Sequence, residues 1–267
     1  MDPPKLIVLA PRSWIIDPAA RLVNHSDIPA GPLADECSVD HARTGAIRSL
    51  MPKWLKMIVA ILLLPICLGT AEAVWMALTG AGAMAEVWMP MLAGAACWVV
   101  VFLLLPKPMW VYVFGHELTH ALWTWIFGGS IRGFKARSSG GHVITTKNNF
   151  LIALAPYFFP FYAVLVVVVF VVGELLWHWR RAYLPWFHLL LGAAYAFHVT
   201  LTSEILKTRQ TDITSQGWLF SAVIIFLGNA LVLAIGVPLL TGHGLFGALS
   251  TWVRCNDRVL HRLAHLL

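Results

Sequence analysis

Charge is what this chain has least of. Asp, Glu, Lys and Arg together make up 12% of its 267 residues, about half the share of an average soluble domain. Cysteine is scarce too. Cys37, Cys67, Cys97 and Cys255 stand singly, with no CxxC pair, which argues against a disulfide framework or a zinc knuckle. The net charge of +6 comes with no dense basic block. Lys and Arg flank apolar runs instead, so the surplus reads as membrane-interface charge, with no nucleic-acid partner expected. No cleavable leader is expected either: "MDPPKLIVLAP" has too short an apolar core, and proline brackets it.

What is abundant is apolar sequence, at 59% of residues with a mean hydropathy of +0.74. In lipid only helices or closed barrels satisfy their own backbone, and continuous rather than alternating apolar runs favour helices. The expected fold is an all-α polytopic membrane protein of about six transmembrane helices, with the lipid bilayer as its first partner. The segments fall at about 54–79, 87–105, 108–128, 150–176, 184–204 and 218–240, each near the ~20 residues needed to cross. Pro156 and Pro160 predict a kink in the fourth. Between the third and fourth, "GGSIRGFKARSSGGHVITTKNN" reads as a small β-hairpin with a glycine turn. Residues 1–53 are proline-rich and without periodicity, a mostly irregular extramembrane tail. Residues 54–244 form the membrane domain, and 245–267 an amphipathic C-terminal helix with Arg254, Arg258 and Arg262 four apart on one face.

Polar residues inside a span are costly and mark function, and "FGHELTH" (residues 114–120) puts three together. His116 and His120 are one helical turn apart, so their imidazoles can reach one ion. Glu117 is turned sideways, placed to take a proton from the attacking water without being a ligand. That is the mechanical content of HExxH. Zinc suits two imidazoles and a carboxylate. Asn148 and Asn149 read as caps for the helix starting at Phe150, His142 as an exposed loop histidine, Arg180 and Arg181 as topology charges, and Asn229 as a polar link between helices.

"HELTHALWTWIFGG", "GFKARSSGGHV" and "NNFLIALAPYFFPFY" together resemble the core of the site-2 protease family of intramembrane zinc metalloproteases. In order and spacing the resemblance covers 108–220, and the family-like core extends over 108–240. Ala155-Pro156 stands where the family has Gly-Pro, and the Asn-x-x-Pro…Leu-Asp-Gly signature of the third core span is absent. The resemblance implies His116 and His120 as zinc ligands, Glu117 as general base, and an aspartate from a later span as third ligand. It also implies a transmembrane protein as substrate, held by strand addition to the hairpin, and zinc metalloendopeptidase activity. The absence of a targeting peptide and the compact build favour a bacterial inner membrane as the expected location. Asp212, just before the last apolar span, is the leading third ligand. His198, deep in the fifth span, is a further candidate as ligand or as a neighbour of the ligands. Glu204 would fit a membrane metalloprotease whose third ligand is glutamate and which acts on soluble or lipidated chains. A non-catalytic scaffold derived from the protease fold is the remaining alternative.

The orientation signals conflict. Arg43, Arg48, Lys53 and Lys56 put the N-terminus in the cytoplasm. Six spans would then put Arg132, Lys135, Arg137 and Lys147 outside, against the same rule. In bacterial members of the family the hairpin faces the cytoplasm. Either the tail lies outside, or one of the first two segments does not cross.

Overall fold

A computed structural model describes residues 7–9, 51–82 and 84–266. Most of the 1–53 tail, Cys37, and the side chains of Arg180 and Arg181 lie outside what is described. Runs of Leu, Val, Ala and Ile propagate as helix until proline or glycine interrupts them. The helices are α1 (Lys53–Gly80), α2 (Ala85–Leu104), α3 (Met109–Ile126), α4 (Phe150–Leu154), α5 (Phe161–Trp177), α6 (Arg180–Leu206), α7 (Thr211–Gln216), α8 (Trp218–Leu240) and α9 (Gly244–Ala264). Four of them, α1, α2, α6 and α8, are long and apolar enough to cross a membrane. A fifth candidate is broken: α4 and a 3-10 turn at Ala155–Tyr157 meet α5 at 82°, the break falling between Pro156 and Pro160 as their positions predict.

The hairpin forms where its glycines put it. β2 (Ile131–Arg137) and β3 (Gly140–Thr145) pair antiparallel, and Gly140 turns the chain at φ 137°. Gly141, Val143 and Thr145 alternate inward against α3. The tail is not wholly irregular. β1 (Ile7–Leu9) adds a third strand to the free edge of β3, giving the order β1-β3-β2.

Direction matters more than helix count. α1 and α8 run parallel, with Lys56 at the start of one lying 5.9 Å over the ring of Phe220 at the start of the other. Ala73 and Ala234 pack together further along. α2 and α6 are likewise parallel, from His188 Nδ1 and Glu86 O at 3.2 Å to Trp98 Nε1 donating to Thr200 Oγ1 at 2.8 Å. Their backbones approach at Gly94 and Gly192, where any Cβ would land on the carbonyl of Leu189 or Met91. Small residues allow such contact between apolar helices. α5 runs back along α6, with Phe170 stacked on Phe187 at 4.3 Å.

α3 breaks the expected alternation. Lys107, just before it, pairs with Glu204 at the end of α6. The chain after it returns to that same end of the bundle: Thr146 N donates to Ser130 O across the hairpin base, and Phe150 packs edge-on against Phe220. The 108–128 segment therefore begins and ends on one side. Among the described residues four helices, or five with the bent pair, are long and apolar enough to cross, against the six expected from hydropathy. α3 is not one of them and is largely enclosed by protein, with Tyr112, Val113, His116, Glu117, His120 and Thr124 among its buried residues. α9 packs across α1 and α8, its Trp252 Nε1 donating to Thr70 Oγ1 at 2.9 Å.

Candidate metal centre

Thr119 and Thr124 show how α3 keeps polar residues in its interior face. Their hydroxyls donate back to Gly115 O at 2.7 Å and His120 O at 2.8 Å, so neither needs an outside partner. On the same face His116, Glu117 and His120 are 3%, 0% and 0% exposed. His120 Nδ1 lies 2.8 Å from Ile152 O. A carbonyl only accepts, so Nδ1 carries the hydrogen and Nε2 presents its lone pair inward. Ile152 is itself held by the α4 cap, where its N–H donates to Asn149 Oδ1 at 2.8 Å. The capping role expected of Asn149 thus also orients His120.

Asp212 comes from a different element. α7 is a short helix ended by Gly217 at φ 97°, a conformation that favours glycine. Asp212, in its first turn, points into the bundle at 4% exposure. Its Oδ2 lies 3.7 Å from His116 Nε2 and 3.6 Å from His120 Nε2, and accepts from Tyr157 Oη at 3.1 Å. Lys56 Nζ donates to Gln216 Oε1 at 2.6 Å, tying α7 to α1. Asn229 Nδ2 donates to Tyr157 O at 3.0 Å and to Ile225 O at 2.9 Å, so the polar link expected of Asn229 anchors the bend at the site.

One donor atom each from His116, His120 and Asp212 lies within 4.8 Å of the others, and all three residues are buried. A tetrahedral ion with ligand bonds of about 2.1 Å spaces its donors by about 3.4 Å, close to the two observed histidine–aspartate separations. Among the described residues His120 Nε2 and both carboxylate oxygens of Glu117 are buried without a hydrogen-bond partner. Unpaired buried polar atoms are expensive, and a cation with an attached water would satisfy them. The group can therefore hold a metal ion, with Glu117 beside it rather than within it.

His198 is separate. It shares a cavity of about 20 Å³ with His116, Tyr112, Thr119 and Tyr162, room for one water, but it is not part of the three-donor group. Glu204 is engaged elsewhere, 2.8 Å from Lys107 Nζ and 2.9 Å from Lys207 Nζ. His142 is not in a loop: it is half-buried in β3, opposite Lys135 of β2. Burial, and then the Lys135 ammonium, lower its pKa from the usual histidine value.

Two neighbours of the site carried no signal in the sequence. Tyr157 supports Asp212, and Gly141 of β3 touches Glu117. Each depends on a contact between segments far apart in the chain. Comparison with protein-family models, with curated proteins and with solved structures gives no match.

Proposed function

We propose that the chain is an intramembrane zinc metalloprotease of the site-2 protease type, hydrolysing peptide bonds of transmembrane protein substrates. The observation that carries this reading is the buried triad of His116, His120 and Asp212 with an unpartnered Glu117 carboxylate at its side. Two imidazoles and one carboxylate leave a fourth position open, the pattern of a catalytic rather than a structural zinc site. A bound zinc ion supplies Lewis acidity, lowering the pKa of water and polarising a carbonyl. Glu117 takes the proton of the attacking water and returns it to the leaving amide nitrogen. Tyr157 and Ile152 hold Asp212 and His120 in place, and the enclosure of α3 limits the water that reaches them.

The membrane setting rests on the outward faces. Leu62, Leu104 and Leu175 are 68%, 76% and 72% exposed on helices with few charges, surfaces that call for lipid. On this reading the chain crosses five times, at α1, α2, the α4–α5 pair, α6 and α8, an assignment that the helix directions and lengths support. Two crossings precede α3, and α3 returns to its own side, so Lys53, Lys56, Arg132, Lys135, Arg137 and Lys147 share one face of the bilayer, in accord with the positive-inside rule. Both of the first two segments then cross.

The test is Glu117→Gln, co-expressed with a single-span membrane substrate. Cleavage is lost while the purified protein retains its zinc. Undiminished cleavage would refute the mechanism. Absence of stoichiometric metal in wild type, with no difference from His116→Ala, would leave only a scaffold.

A further inference from the structure

β2 covers one edge of β3 along its length, from Gly140 to Thr145. Among the described residues the opposite edge is met at Val143, Ile144 and Thr145, by β1. The register is antiparallel, with Ile7 opposite Thr145 and Leu9 opposite Val143. The chain direction in β1 therefore runs toward Gly141, the point where β3 touches Glu117. Leu9, opposite Val143, lies two residues from that point, about 7 Å along the strand.

An open strand edge near a peptidase centre is a place for an extended peptide, since its free N–H and C=O groups recruit another strand. Here the recruit is the chain's own tail. "LIVLA" is apolar and rich in strand formers, the same chemistry as an unwound piece of a membrane span. Pro4 and Pro11 flank it, and proline has no N–H to give to a ladder, so the pairing is confined to a short run. A strand of three residues is weakly held and readily exchanged.

We propose that residues 7–9 act as an internal competitor, occupying the edge of β3 that an unwound substrate segment takes, so that substrate enters only when β1 leaves. This rests on the proteolytic reading above and names its regulation. A competitor that fills its edge most of the time lowers the apparent substrate affinity by the fraction of time the edge is free.

Val8 and Ile144 are register partners. The experiment places cysteines at both (Val8→Cys with Ile144→Cys) in the full chain and joins them with a short thiol-bridging reagent, the two single variants serving as controls for the native cysteines. Bridging is expected in the double variant alone and is suppressed by excess synthetic LIVLA peptide. The bridged protein cleaves a single-span substrate about ten-fold more slowly than the unbridged one. Leu9 pairs with Val143, whose N–H and C=O face β1 because the even residues of β3 bond to β2. Leu9→Pro, which removes a backbone donor from this ladder, raises kcat/KM by about five-fold, the factor expected if the edge is free about one-fifth of the time. Failure to bridge, or wild-type cleavage by both the bridged protein and Leu9→Pro, overturns the proposal. Peptide-sensitive bridging in a protein that cleaves nothing, wild type included, refutes the protease reading while upholding strand exchange at β3.

Discussion

Gly141 of β3 lies against Glu117 of α3. A Cβ at residue 141 would come 2.6 Å from Glu117 Cγ and 2.7 Å from its Oε1. Those are distances that something must move to avoid, and the hairpin is tied to its base by the Ser130–Thr146 bonds. The same Cβ would come 2.8 Å from Lys135 O of β2, so Gly141→Ala displaces the carboxylate together with the local strand pairing. Misplacing a general base by ~1 Å costs on the order of a hundred-fold in rate, so kcat for a single-span substrate falls by at least ten-fold while zinc content is unchanged. Wild-type turnover in this variant would show that Glu117 does not need its observed position.

Tyr157 supports the site one step further out. Its hydroxyl donates to the same Asp212 oxygen that faces both histidines. Removing such a supporting partner weakens metal binding by roughly ten- to a hundred-fold. Tyr157→Phe is expected to lose zinc to a competing chelator at correspondingly lower chelator concentration, with the helical content of the protein unchanged. Equal retention by both proteins would mean that Asp212 is oriented without the tyrosine.

The α2–α6 contact gives a prediction about stability alone. Gly94 and Gly192 each face the other helix's backbone with no room for a side chain, whereas Gly236 on α8 has nothing within 4 Å of an added Cβ. Overpacking a tight contact costs about 1–3 kcal/mol. Gly94→Leu is expected to lower the unfolding midpoint in detergent by several degrees, and Gly236→Leu to leave it level or slightly raised. Similar midpoints for both would mean that the helices separate without cost.

His116, Glu117 and His120 were legible in the sequence because helical spacing alone puts them on neighbouring faces of one helix. Asp212 was legible as an acid standing just before a long apolar run. Its third-ligand placement, however, came with two rivals, and only the folded chain separates it from His198 and Glu204. What hydropathy hid was the path of α3. A window of apolar residues reads alike whether its outer face meets lipid or protein, and α3 meets protein. β1 was hidden for a different reason. Three apolar residues between prolines carry no periodic signal, and their partner strand lies beyond three helices and a strand in sequence.

The path of α3 is open to direct measurement. With five crossings, Lys53 and Ser138 lie on one side of the bilayer, and His178 and His243 on the other. All four are exposed. Single cysteines at these positions, treated with a membrane-impermeant thiol reagent in sealed inverted vesicles and in intact cells, are expected to label in two matched pairs. Six alternating crossings would instead put Lys53 and Ser138 on opposite sides, because the hairpin follows the third apolar segment. The basic residues of the hairpin and of the α1 start would then face different compartments, and α3 would need a lipid-facing surface. Its buried face carries His116, Glu117 and His120, and its surroundings are the hairpin, the α4 turn and α5. A split between Lys53 and Ser138 in the labelling would therefore overturn the arrangement of the bundle as well as its orientation, and would detach the metal-binding helix from the elements that enclose it.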